Sequence, residues 1–377
     1  MRVGILTFHR ATNYGTALQA FATQKGLQKL NIDAQVIDYR PEYIERTLHQ
    51  RKLRDAKTLK DVASICVNAV LYPGMAKLKS ENFKRFFREM NISGKKCYNA
   101  TEVEKLAQSY DAVLSGSDQL FNKNITGDDM TYFLPFEHRK KLSFSSSFGE
   151  RELSVERIGE IAPYLCDFDS LSVREKTAQD ILSNMRESYP QLKSATSVLD
   201  PTFLLSKDEW NEYADKELKL PKDGYILTYY MIETELLRSI TKALQQKTGL
   251  RVVNLKPSKK QVLMRDGKNL AFAGPAQFLE CYKNASYVVT NSFHGTAFSI
   301  NYGIPFFTTT LPQSMAGEVN SRLTDICKLF DLSHRWIDSE QKLKDTDLTK
   351  PFEKDTIKII EKLREHSFDY LKDALGL

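Results

Sequence analysis

The stretch from Tyr287 to Phe306 constrains the fold more than any other part of the chain. Tyr287-Val-Val-Thr290 reads as a buried strand, Asn291-Ser292 as a polar entry into a helix, and Gly303 with Pro305 as the lead into a second short strand. A strand that returns through a helix belongs to a parallel sheet. His294 then falls in the first helical turn, at the carboxyl end of a parallel strand, where open α/β sheets place their ligand chemistry. Backbone N–H groups and the helix dipole favour an anion there. A histidine beside such a site can move protons near neutral pH. The plainer reading makes His294 a helix-start residue bonded to the facing loop, with Gly295 present only for close packing.

The same alternation runs twice. Val3 to Phe8 reads as a strand, and Thr16 to Leu30 as a helix with Leu18, Phe21, Ala22, Leu27 and Leu30 at helical spacing. Asp33 to Tyr39, Ala112 to Ser115, Lys141 to Ser147 and Ser170 to Arg174 read as further strands, the last followed by a helix from Glu175. A charged connector low in core residues covers about 206–223. The pattern then restarts with a strand at 225–230, a helix at 233–248, a strand at 251–255 and a helix at 274–284. Phe352 to Leu375 forms a long amphipathic helix. At 377 residues the chain exceeds what one core usually supports. The expectation is an α/β fold of two Rossmann-like domains facing across a cleft, residues 1–206 and 220–377, with the C-terminal helix packing back.

Charge is uneven. Between Glu45 and Lys96 there are 13 Lys or Arg against 5 Asp or Glu, a net of +8, so the rest of a chain of net +6 carries −2. This basic helical insertion, at about 42–97 in the first domain, interleaves Leu48, Leu53, Val62, Ile65, Phe83 and Phe86 with its cations. Such a segment either packs its apolar face on its own domain or rests on an anionic membrane surface. No recognition motif accompanies the charge, so nucleic acid is not an expected partner. The five cysteines have no metal-ligand spacing, and their odd number fits a reducing compartment. Met1-Arg-Val-Gly already reads as a strand, and no run approaches ~18 apolar residues. A cytoplasmic protein, either free or peripheral on the membrane, is the expectation.

Loops after strands hold the remaining chemistry. Asn13, Tyr14, Gly15 and Gln19 follow the first strand without a GxGxxG fingerprint; they suit either a helix cap or a sugar contact. Ser117, Asp118 and Gln119 form a polar cluster at another strand end, again either capping or meeting hydroxyls. Arg174 ends an apolar strand, and its planar fork suits a carboxylate or phosphate; the alternative is an ion pair with Glu175. Lys256 and Arg322 precede or open helices in the second half. No HExxH, DxD or GxSxG occurs, and no metal site is expected.

In order and spacing, seven segments resemble the polysaccharide pyruvyl transferase family: Gly4-Ile-Leu-Thr-Phe8, Asn13-Tyr-Gly-Thr-Ala-Leu-Gln-Ala20, Val36-Ile-Asp-Tyr-Arg40, Ser115-Gly-Ser-Asp-Gln119, Ser172-Val-Arg-Glu175, Leu199-Asp-Pro-Thr-Phe203 and Thr290-Asn-Ser-Phe-His-Gly-Thr-Ala-Phe298. The resemblance implies a GT-B-like fold. It also implies transfer of a pyruvyl group from phosphoenolpyruvate, a co-substrate and not a cofactor, onto two sugar hydroxyls. It carries over His294 as acid/base or phosphate contact and Arg174 as anion contact. Phosphoenolpyruvate would then meet Asn291, Ser292 and Gly295, and the acceptor, a sugar or lipid-linked oligosaccharide, would meet Asn13, Tyr14, Gly15, Gln19, Ser117, Asp118 and Gln119. Ser292 stands where some members have an arginine, and Lys256, Arg322 or Arg10 are the candidates to replace that charge. A nucleotide-sugar glycosyltransferase and a non-catalytic carbohydrate-binding relative remain as alternatives.

Overall fold

The computed structural model describes residues 1–48, 74–264, 266–311 and 319–377. The chain divides into two compact units. The first comprises Met1–Arg46, Glu89–Leu205 and Lys358–Leu377, and the second Thr47–Arg88 and Ser206–Ile357.

In the first unit β1 (Arg2–Leu6), β2 (Asp33–Tyr39), β3 (Ile92–Cys97), β4 (Ala112–Ser115) and β5 (Lys141–Ser143) form a parallel sheet in the order β3-β2-β1-β4-β5. β6 (Leu171–Val173) and β7 (Ala195–Ser197) form a parallel pair, bridged to the β5 region at Leu142–Ser170 and Ser146–Val173. The central strands are apolar on both faces because helices cover both. β3 went unforeseen: its middle residues Gly94, Lys95 and Lys96 are exposed, and lysines are what an edge strand carries to block further pairing. The helix Tyr14–Lys29 is buried over most of its surface. The C-terminal helix, Lys354–Leu375, joins this unit from Lys358 onward. Ser367 there accepts a hydrogen bond from the Leu199 N–H at 3.0 Å, and the Tyr370 hydroxyl donates to the Ser143 carbonyl at 2.8 Å.

The second unit repeats the plan. Here β8 (Tyr225–Tyr229), β9 (Arg251–Asn254), β10 (Lys268–Asn269), β11 (Tyr287–Thr290) and β12 (Phe306–Thr308) form a parallel sheet in the order β10-β9-β8-β11-β12. The helix Phe293–Tyr302 is buried at every residue. Phe298 packs against Trp210, Phe278 and Tyr282 with ring centroids 5.3, 5.0 and 5.7 Å away. Trp210 belongs to the expected connector, so that segment is anchored in this unit by one large fully buried side chain that its charged composition concealed.

One part of the basic insertion also differs from the sequence reading. The helix Met75–Phe87 belongs to the second unit, where Asn82 donates to the Phe272 carbonyl at 3.0 Å and its Cβ lies against Gly274. Residues 49–73, the core of the expected membrane-facing stretch, lie outside the described residues. No helix among the described residues is long and apolar enough to cross a membrane.

Both strand orders reverse at one place, between β1 and β4 and between β8 and β11. There the chain leaves neighbouring strands in opposite directions, and the carboxyl ends open a crevice suited to ligands.

Candidate functional site

At the β8–β11 reversal Tyr229 pairs with Thr290, and the chain turns through Asn291 and Ser292 into the helix of His294. Ser292 is the N-cap, its hydroxyl accepting from the Gly295 N–H at 3.3 Å. Gly295 allows a close approach. A Cβ at this position would sit 2.3 Å from Thr290 Oγ1 and 3.1 Å from the Tyr229 ring. The Gly295 carbonyl accepts from the Tyr282 and Ser299 hydroxyls at 3.0 and 2.8 Å. Burial pushes the Tyr229 hydroxyl up to about 12, a hydrogen bond with Ser292 acting the other way.

His294 is 9 % exposed. Its ring meets that of Phe293 edge to face at 5.3 Å, and the buried Arg322 guanidinium lies 6.0 Å from the Phe293 centroid, at the limit for a cation–π contact. The structure thus brings a cation from the 319–329 helix next to the His294 turn. Lys256 reaches the same crevice by another route. Its ammonium donates to the Met231 carbonyl at 3.4 Å, and the Met231 N–H donates to Asn291 Oδ1 at 2.8 Å. Lys256 is exposed in area, yet enough protein surrounds it that desolvation lowers its pKa. Asn291 also donates to the Ile232 carbonyl at 2.8 Å, so both ends of its amide tie down the loop after β8.

At the β1–β4 reversal Leu6 pairs with Ser115. Asn13 is the N-cap of the following helix, accepting from the Gly15 and Thr16 N–H groups, and Tyr14 is buried. Asn13, Tyr14, Gly15 and Thr16 therefore build the turn. Gln19 is fully buried, its amide donating to Thr7 Oγ1 and the Phe8 carbonyl, both at 2.9 Å. Ser117 donates to Ser145 Oγ at 3.3 Å, Asp118 accepts from the Thr16 hydroxyl at 3.3 Å, and Gln119 accepts from Asn122 at 2.7 Å.

Arg174, in the same unit, is buried between two acids. Its Nε donates to Glu175 at 2.9 Å and its Nη1 to Asp200 at 2.8 Å. Burial alone would lower its pKa, but Glu175, Asp200 and Asp118 outweigh that and raise it. The ion pair with Glu175, the plainer of the two sequence readings, is present, and Asp200 adds to it. Arg10, a further candidate cation, is paired with Glu45 at 2.7 Å in this unit.

Sequence reasoning passed over one cluster here. His9 Nε2 lies 3.1 Å from Asp38 Oδ1, and Arg40 donates to both oxygens of Asp38 at 2.9 and 2.6 Å. The alternation of Asp38 and Arg40 at the end of β2, with a histidine at the end of β1, was the available signal.

Residues 13–310, most of the chain, match the family described as polysaccharide pyruvyl transferase. The chain belongs to that family. No curated protein matches it significantly in sequence. Among solved structures it is similar to a glycosyltransferase from Rickettsia africae ESF-5 (9% identity, 99% of this chain and 98% of that one, TM-score 0.54). It is also similar to S. aureus MnaA in a co-structure with UDP (11%, 100% and 97%, 0.52) and to UDP-GlcNAc 2-epimerase from Methanocaldococcus jannaschii (12%, 97% and 100%, 0.50). At these identities the likeness establishes the fold, a GT-B-like pair of Rossmann-like units.

Proposed function

We propose that this pyruvyl transferase family member moves the pyruvyl group of phosphoenolpyruvate onto two hydroxyls of one sugar, forming a cyclic ketal and releasing phosphate. The acceptor belongs to a capsule or exopolysaccharide, or to its lipid-linked precursor. The observation that carries this reading is the setting of His294: a buried imidazole in the first turn of a helix at a strand-order reversal, with the Arg322 guanidinium against the neighbouring ring. An acid placed beside cations suits a small dianion that must be protonated and then lose phosphate.

The chemistry begins with a proton from His294 to C3, whose bond uses the vinyl π pair and leaves C2 oxocarbenium-like. A sugar oxygen bonds to C2 and its hydroxyl loses a proton. The C2–O bond to phosphate then breaks, the pair leaving with phosphate, and the second hydroxyl oxygen bonds to C2 as it loses its proton, closing the ring. Of the two hydroxyl protons, one restores the acid through solvent and the other leaves on hydrogen phosphate. A positioned general acid contributes roughly 10²–10⁴-fold. Arg322 and Lys256, with the first-turn N–H groups, are assigned to the carboxylate and phosphate of the donor. Thr16, Gln19, Ser117, Asp118 and Gln119 are assigned to the acceptor. Arg174, already facing three carboxylates, is assigned to ordering its own loops, a change from the anion contact implied by resemblance.

The test is phosphate release from phosphoenolpyruvate with a panel of galactosyl, mannosyl and glucosyl acceptors, run beside UDP- and GDP-sugars as donors. Acceptor-dependent release, lost in His294→Ala, is expected. Turnover of a nucleotide sugar with none of phosphoenolpyruvate would overturn the reading. The protein is assigned to the cytoplasm, with the basic 45–96 stretch on the anionic inner face of the membrane. Salt-sensitive binding to phosphatidylserine-containing vesicles is expected, and indifference to them would sink that assignment.

A further inference from the structure

The second sheet has a basic end that the proposed chemistry leaves unused. The His294 turn follows the carboxyl end of β11. At the opposite, amino ends of the parallel strands β8, β9 and β10 lies a groove of about 790 Å³, a size that suits a small-molecule or short-chain ligand. Lys219, Lys222, Arg251 and Lys268 line it against one acid, Asp223, so four positive charges meet one negative and the net is +3. Strands of four and five residues set the two ends of this sheet roughly 13–17 Å apart.

The backbone shapes the groove. Gly267 has a φ of 74°, and a Cβ there would sit 2.5 Å from the Val252 carbonyl oxygen, so glycine lets the loop before β10 lie against β9. The Lys268 ammonium donates to the Lys219 carbonyl and ties that loop to the connector ahead of β8.

The cations of the groove are not committed to acids. Lys219, Lys222 and Lys268 are exposed and form no ion pair among the described residues. Arg251 meets Asp223 at 4.0 Å with both side chains mostly in water, a contact that contributes little. Between the charges, Leu220, Pro221 and Val252 give an apolar lining, and Gln245 from the Glu235–Thr248 helix gives an amide.

This combination selects among anionic partners. Carboxylates would meet the cations, the C–H faces of sugar rings the apolar lining, and hydroxyls the amide. None of the lining residues is aromatic, so the groove lacks the platform on which single-stranded nucleic acid stacks. It is concave, unlike the amphipathic helices that lie on a membrane surface. The proposed reaction itself makes a fitting ligand, because each ketal adds the donor's carboxylate to a sugar, and repeated transfer turns the acceptor chain into a polyanion.

We infer that this groove binds the carboxylate-bearing polysaccharide that the enzyme makes, holding a partly modified chain between transfers. The inference rests on the pyruvyl-transfer reading above.

The whole chain, as wild type and as the double variant Lys222→Glu/Arg251→Glu, is titrated with polygalacturonate, which carries one carboxylate per sugar, and with neutral dextran. The wild type is expected to bind polygalacturonate, more weakly as salt rises, and to ignore dextran. The variant is expected to bind polygalacturonate about tenfold more weakly or worse, with an unchanged melting temperature and unchanged phosphate release from phosphoenolpyruvate and a monosaccharide acceptor. Binding of polygalacturonate no tighter than that of dextran, or equal in variant and wild type, overturns the inference and leaves the function standing. So does an equal loss in the variant of binding to phosphatidylserine vesicles or to a single-stranded oligonucleotide, which would make the groove a face for any polyanion. A wild-type protein silent with phosphoenolpyruvate and every acceptor overturns the function and, with it, the identity of the occupant.

Discussion

His9 and Asp38 form a buried pair, Nε2 to Oδ1 at 3.1 Å, at the ends of the adjacent strands β1 and β2. The other ring nitrogen faces the Thr7 carbonyl at 3.2 Å, so both nitrogens meet oxygen acceptors. Arg40 closes on the same carboxylate with a two-pronged contact. Two donors on one buried acid make the acid the keystone.

Asp38 supplies the first prediction. Burial alone would raise its pKa, but the hydrogen bonds from His9 and Arg40 outweigh burial and hold it well below the usual carboxylate range. The stability this gives is present above the unfolded value of about 3.9 and is lost as pH falls toward the native value. Asp38→Asn is expected to cost about 3–5 kcal/mol at pH 7, the usual effect of stranding a buried ion-pair partner. Urea titrations from pH 7 down to pH 3 should show the gap between wild type and variant narrowing below about pH 4. A gap that widens with acid would refute the assignment.

Arg174 gives a second. Removing it strands Glu175 and Asp200, both buried, so Arg174→Gln should destabilise by about 3–5 kcal/mol in urea unfolding. Arg174→Lys keeps the charge but not the fork that reaches both acids, and should fall between. The KM for phosphoenolpyruvate in Arg174→Lys is expected to stay within about threefold of wild type, well under the tenfold that 1.4 kcal/mol of lost contact would give. A large rise in KM with intact stability would return Arg174 to the donor site.

Much of this was legible in the sequence, for physical reasons. Tyr287–Thr290 was bounded correctly because a short β-branched run is followed at once by the residues that cap a helix. The strand expected from Lys141 to Ser147 stops at Ser143 because Ser145 turns left-handed, and nothing in a run of serines announces that. Proximity in sequence places the 75–87 helix with the first domain, whereas its docking residue, Asn82, bonds a carbonyl 190 positions away. Arg174 shows the limit most clearly. Its place at a strand end was readable, but Asp200, which takes half its guanidinium, arrives from another loop.

Gly295 yields a prediction with opposing contributions. In an ordinary helix, glycine to alanine stabilises by roughly 0.8–1.0 kcal/mol. Here the new methyl would meet Thr290 Oγ1 at 2.3 Å, and that hydroxyl is fixed by donating to the Tyr229 carbonyl and accepting from the Ser292 N–H. Overpacking of about 1–3 kcal/mol is expected to win, so Gly295→Ala should lower the melting temperature. The double variant with Thr290→Ala should lose less than the sum of the two single changes.

The last prediction separates the cations of the second unit. Arg322 lies against Phe293, one residue from His294, while Lys256 is linked to that turn through Met231 and Asn291. Lys79 on the 75–87 helix is close enough to Lys256 for repulsion to add to burial, and together they bring Lys79 down to about 8. An anion held by Lys79 would therefore lose affinity as the pH rises through 8, whereas one held by arginine would not. Arg322→Gln is expected to raise the KM for phosphoenolpyruvate by about 10–100-fold, the loss of a charge-assisted contact of roughly 1.5–3 kcal/mol. Lys256→Gln should raise it less, and should move to higher pH whatever weakening the wild type shows between pH 7 and 9, because it relieves the repulsion on Lys79. Steady-state kinetics across that range checks both. Equal effects from Arg322→Gln and Lys256→Gln, or a KM indifferent to either, would mean that the donor is not held at this turn.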